Sequence, residues 1–248
     1  VTTLVFVPDG PLHTIPLAAL HDGERFLGEQ YAVAVTPGLS LVAPSPLDAQ
    51  QKSALLVGVS ESVAGFDALP NVPAELSSIQ RLVGGEMLLD DQFVTETFRE
   101  RFVTEQPAIV HVASHAVFDG SSERSFVVAH DAAFSIDELH RLVAESQFRE
   151  PLELLTLSAC ETAAGDADAA LGLSGSAIRA GARSAVGTLW TVSDEATREL
   201  IVRFYAGLAE QDVSKAEALQ AAKDALRADP RFSHPYYWAP YLMISNWL

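Results

Sequence analysis

Short apolar runs alternate with helical periodicity almost from end to end of the sequence, which restricts the chain to an α/β fold with a largely parallel sheet. Strands are expected from Leu4 to Val7, Tyr31 to Val35, Ala54 to Val59, Ala108 to Ser114, Ser125 to Ala129, Leu152 to Ala159, Ala185 to Trp190 and Tyr241 to Ser245. The run beginning at Leu152 is apolar nearly throughout and belongs near the centre of the sheet. A helix is expected from Pro73 to the Gly84-Gly85 pair, because Leu76, Ile79, Leu82 and Val83 recur at helical spacing between a first-turn proline and a closing glycine. Further helices are expected from Glu96 to Val103, after the capping pattern Ser135 and Glu138, and from Gly172 to Ala180. A later one presents Leu200, Ile201, Phe204, Tyr205 and Leu208 on one face, and a last one runs from its Ser214–Glu217 cap to Ala228. The polar segment from Pro44 to Lys52 reads as a loop. With no internal repeat or low-complexity tract, residues 1–248 read as one domain.

Two of these strands end in reactive side chains. One reads Ile109-Val110-His111-Val112-Ala113-Ser114-His115, the other Leu154-Leu155-Thr156-Leu157-Ser158-Ala159-Cys160. Open α/β sheets gather ligands at the carboxyl ends of their strands. The stretch between the two residues has room for the crossover that joins neighbouring parallel strands, and such strands lie roughly 5 Å apart. His115 and Cys160 are therefore expected to meet at one rim. An imidazole there deprotonates the thiol, the thiolate attacks, and the imidazolium returns the proton to a leaving amine. Cys160 is the single cysteine, so neither an internal disulfide nor a Cys-based zinc site is available, and the chain suits a reducing compartment. By itself it reads either as a buried small hydrophobe or as a reactive thiolate.

Charge narrows the partners. A net charge of -17, from 33 acidic against 16 basic residues, repels phosphate backbones and argues against direct contact with nucleic acid. A basic peptide would be attracted. No uninterrupted apolar run reaches the roughly 20 residues of a membrane helix. His111 and His115 would lie roughly 13 Å apart along a strand, too far to share one ion, so no metal is expected. Neither a Walker-type phosphate loop nor a dinucleotide fingerprint is present, and no other cofactor is expected. Gly172-Leu173-Ser174-Gly175-Ser176 lacks the closing glycine of a serine nucleophile elbow. The chain opens on Val1 without a leader-like segment, which reads as a piece of something longer.

The stretches His111-Val112-Ala113-Ser114-His115 and Ser158-Ala159-Cys160-Glu161-Thr162 resemble the two signature segments of the CHAT family, caspase-like peptidases related to caspases and separase. The segment from Pro8 to Leu20, the segment from Gly181 to Trp190, and Tyr237-Trp238-Ala239-Pro240 resemble others, in the same order and across practically the whole chain. The resemblance implies a caspase-like three-layer α/β/α sandwich with a mostly parallel central sheet, and a cysteine endopeptidase whose histidine and cysteine fall on His115 and Cys160. It also implies an oxyanion site built from the backbone N–H groups of Ala116 and Cys160. The family usually has glycine where this chain has Ala116, and the added methyl disfavours any positive-φ conformation there. Family habit further implies a bacterial cytoplasmic regulator or defence protein, with upstream helical repeats that bind an activating partner.

Trp190-Thr191-Val192-Ser193-Asp194 resembles a separase segment whose aspartate receives the basic residue before the scissile bond, which would place Asp194 in a substrate pocket. Asp194 also stands where a helix begins and would serve as its N-cap. Tyr236, Tyr237 and Trp238 read as packing against the sheet, with a binding surface as the alternative, and His13, His21, His130, His140 and His234 as surface or structural. Two other classes stay open: an inactive scaffold for protein contacts, for which Ala116 speaks, and a thiol enzyme acting on a small acyl substrate.

Overall fold

The structure is a computed structural model and describes residues 1–38, 44–47, 49, 53–118, 125–146, 151–158, 161–162, 178, 181–210 and 212–248. In chain order its elements are β1 Thr3–Phe6, α1 Leu27–Gln30, β2 Ala32–Val35, β3 Ala54–Gly58, α2 Val72–Val83, β4 Glu86–Leu89, α3 Thr95–Glu105 and β5 Ile109–Ala113. Then come β6 Ala116–Phe118, β7 Phe126–Val128, β8 Ala133–Ser135, α4 Ile136–Ser146, β9 Leu154–Leu157, β10 Glu161–Thr162 and β11 Ser184–Thr188. Helices α5 Asp194–Leu208, α6 Lys215–Ala228 and α7 Pro235–Trp238 and strand β12 Tyr241–Ser245 complete the chain.

The central sheet has eight strands in the order β1-β2-β12-β11-β9-β5-β3-β4. Every pairing is parallel except β11 with β12, so β1, β2 and β12 run opposite to the other five. Alternation along each strand supplies both faces. Leu55 and Val57 of β3 and Val110 and Val112 of β5 join one core with Phe98 and Phe102 of α3 and Leu139 and Val143 of α4. Leu56, Ile109 and Ala113 join the opposite core with Leu76 and Ile79 of α2, Leu200 and Phe204 of α5, and Leu219 of α6. The result is the three-layer α/β/α sandwich expected from the sequence.

Local chemistry explains the element ends. The α2 helix stops at Gly84, whose φ of 72° favours a residue without Cβ. The Ser214–Glu217 capping box opens α6 as expected. All five apolar residues assigned to one face of α5 are buried. Of the smaller sheet, ordered β10-β6-β7-β8, only β7 was expected, within Ser125 to Ala129; β4, β6, β8 and β10 were not. The strands of that sheet have two or three residues each, too few to express a period of two. The helix expected from Gly172 to Ala180 lies, apart from Ile178, outside the described residues.

Candidate active site

Strand order reverses at β3, which has β4 on one side and β5 on the other. The helix after β3 (α2) and the helix after β5 (α4) belong to opposite layers. A crevice at the carboxyl ends follows from that arrangement, as in open α/β sheets generally. The cavity found there has a volume of about 440 Å³. Its walls come from the ends of four adjacent parallel strands: Phe66 and Asp67 after β3, His115 after β5, Ser158 after β9, and Thr188 at the end of β11. Asp194 and Thr197, at the start of α5, close it.

His115 stands two residues beyond β5 and is partly exposed. Its Nε2 lies 2.8 Å from the backbone carbonyl oxygen of Asp67. A carbonyl can only accept, so Nε2 carries the proton and Nδ1 holds the free lone pair of the neutral ring. Phe66 stacks on the imidazole with ring centroids 4.9 Å apart and an interplanar angle of 26°. Ring orientation and tautomer are thus both set by the loop after β3. Neither Phe66 nor Asp67 stood out in the sequence; the signal available was the rule that strand ends converge, applied to β3 as well.

Cys160 and Ala159 lie outside the described residues. Their neighbours are described on both sides. Strand β9 pairs in parallel with β5, His111 opposite Thr156 and Val112 opposite Leu157. Beyond β9, Ser158 donates its N–H to Val112 at 3.0 Å and lines the cavity that His115 lines. The residue after Cys160, Glu161, begins β10, which pairs in parallel with β6.

Ala116 opens β6 and is buried. It is absent from the non-glycine residues with positive φ, so its methyl meets no backbone penalty. The N–H of Val128 donates to the His115 carbonyl at 2.8 Å, while Ala116 stands opposite Val127. That pattern marks the non-hydrogen-bonded kind of antiparallel pair. The Ala116 N–H therefore points away from β7, toward the edge where β10 pairs.

Asp194 is the first residue of α5, and the N-cap is Ser193, whose hydroxyl accepts from the Ala196 N–H at 3.4 Å. The cap role expected of Asp194 is corrected accordingly: Ser193 has the extended backbone that a cap requires. Asp194 instead lines the cavity, and its Oδ2 accepts from the N–H and Nδ2–H of Asn71, each at 2.8 Å. Nearby, Tyr236 donates its hydroxyl to the Thr191 carbonyl at 2.8 Å and steadies the strip leading to Asp194, while Trp238 is fully buried.

A further cavity residue, like Phe66 and Asp67, escaped sequence reading. Glu75, in the first turn of α2, is buried and contributes to the wall. Its Oε1 accepts from Nε2 of buried His111 at 2.8 Å, and the Tyr205 hydroxyl contacts Nδ1 of His111 at 3.4 Å. His111, four positions before His115, is thus held by a carboxylate. Among the described residues no cluster of His, Cys, Asp and Glu suits a metal ion, and no helix is long and apolar enough to cross a membrane.

A protein-family model described as the CHAT domain matches residues 1–246. No curated protein matches the sequence. Among solved structures, the complex of the Porphyromonas gingivalis RgpB pro- and mature domains is similar in fold, with a TM-score of 0.58 at 8% identity. The similarity covers 88% of this chain and 56% of that one.

Proposed function

The chain belongs to the CHAT domain family of caspase-like proteins, and from that premise we propose that it is a cysteine endopeptidase cutting a partner protein after a basic residue. One observation carries the reading. His115 and Ser158, which follow adjacent parallel strands, line one cavity together with Asp194, and Cys160 is two positions beyond Ser158. The sulfur of Cys160 attacks the scissile carbonyl and its proton passes to Nδ1 of His115, the nitrogen that the Asp67 carbonyl leaves free. The oxyanion accepts from the N–H groups of Ala116 and Cys160. His115 then protonates the leaving amine, and water, deprotonated by the same imidazole, hydrolyses the thioester. Asp194 receives the basic side chain before the cleaved bond.

Residues 1–248 act as the peptidase unit, and upstream helical repeats bind an activating partner in the cytoplasm of a bacterium and gate it. Replacing Cys160 by Ala or His115 by Ala is expected to lower cleavage of arginyl peptides by about 10²–10⁴-fold or more. Unchanged cleavage by Cys160→Ala protein would remove the proposal. A wild-type protein that cuts no polypeptide, offered with any partner, would favour the scaffold instead.

A further inference from the structure

Reading the cavity as a substrate pocket gives it one specificity acid, Asp194, yet its wall also contains Asp67, an exposed residue that meets His115 through its carbonyl, and the buried Glu75. Glu75 is 1% exposed and forms part of the cavity wall from the first turn of α2, where helix geometry favours negative charge. It is fixed from behind by His111, whose ring in turn meets Tyr205 edge-on with centroids 5.4 Å apart and an interplanar angle of 83°.

We propose that Glu75 is a second specificity-determining residue and that, with Asp194, it makes the cavity select arginine over lysine; this rests on the substrate-pocket reading above. Among the described residues, the hydrogen bonds to Asp194 fall on Oδ2 and that to Glu75 falls on Oε1. Oδ1 of Asp194 and Oε2 of Glu75 have no hydrogen-bond partner among the described residues. Two carboxylates around one cavity repel each other until a cation enters between them. An ammonium is a compact point charge on a flexible stem. A guanidinium carries five N–H donors in a plane and serves two carboxylates at once. Leu69, Val72 and Val192 supply apolar wall for the aliphatic part of the side chain.

The test uses Cys160→Ala protein, in which nothing is turned over, and titration calorimetry with the N-acetyl methylamides of arginine, lysine and citrulline. Arginine is expected to bind at least tenfold more tightly than lysine, and citrulline, which lacks the charge, to bind more weakly than either. Adding Glu75→Gln should lower arginine affinity at least tenfold and bring it level with lysine. Arginine affinity within twofold of the parent after that change, equal binding of arginine and lysine to the parent, or no arginine binding overturns the inference. If Glu75→Gln fails to fold, as circular dichroism reads, the comparison of the three ligands on the parent decides. Arginine held through Glu75 by a protein that cleaves nothing would retain this inference and lose the peptidase reading; cleavage without arginine preference would do the reverse.

Discussion

At His115 a single hydrogen bond to the Asp67 carbonyl decides which nitrogen is basic. His115 itself was legible because it ends an apolar run; its acceptor was not, since a backbone carbonyl has no residue signature. Glu75 was hidden for a related reason. In sequence it looks like an ordinary acid in a helix's first turn, and only packing of α2 beside β5 brings it to His111. Lys223 offers a test of buried charge away from the site. It is buried on α6, donates from Nζ to the Tyr241 carbonyl at 2.6 Å, and burial, aided by Arg227, pushes its pKa down to about 7. The unfolded chain returns it to about 10.4, so between those values the unfolded state binds more protons and stability rises with pH. Below pH 7 this contribution is flat, with the burial penalty fully present. Replacing Lys223 by Met should remove up to about 1.4 kcal/mol per pH unit of slope from unfolding free energies measured across pH 7.5–9.5. Lys215, pushed down to about 8 by burial, keeps its share in both proteins, and parallel curves would contradict the assignment.

At the scale of elements, the cavity depends on how closely β3 and β5 deliver their following loops. Gly58, the last residue of β3, has no room for a side chain: a Cβ there would stand 2.7 Å from Cγ1 of Val72 and 2.8 Å from the Ala113 carbonyl oxygen. The carbonyl belongs to the neighbouring strand and cannot yield as a flexible side chain does. Gly58→Ala is expected to destabilise by about 1–3 kcal/mol. Chemical denaturation reads this as a lower midpoint, and an unchanged midpoint would mean the strands are less tightly coupled. The sequence carried α5, α6 and β12 well because each runs through several periods or has a clear cap. It did not carry β6, which begins directly after His115 and orients the Ala116 N–H. Three residues are too few for a pattern, and the pairing with β7 is a tertiary fact.

Over the whole molecule, apolar alternation announced a mostly parallel sheet but not the reversed block of β1, β2 and β12. Strand direction depends on the connections, and composition is silent on it. Charge is legible at this scale: the chain has a net charge of -17, and its field should draw basic peptides in from solution. For an arginyl peptide, kcat/KM is expected to fall severalfold as salt is raised from about 0.05 to 0.5 M, mainly through KM, because screening shortens the reach of that field. An equal fall for uncharged peptides would assign the effect to salt itself. The fold, the cavity and the specificity acids all acquire their proposed meaning from cooperation between Cys160 and His115. With one cysteine in the chain, alkylation by iodoacetamide reads that cooperation directly. At pH 6, where an ordinary thiol is almost wholly protonated, the unsubstituted protein should be labelled at least tenfold faster than its His115→Ala form. Equal rates in the two proteins would contradict the account.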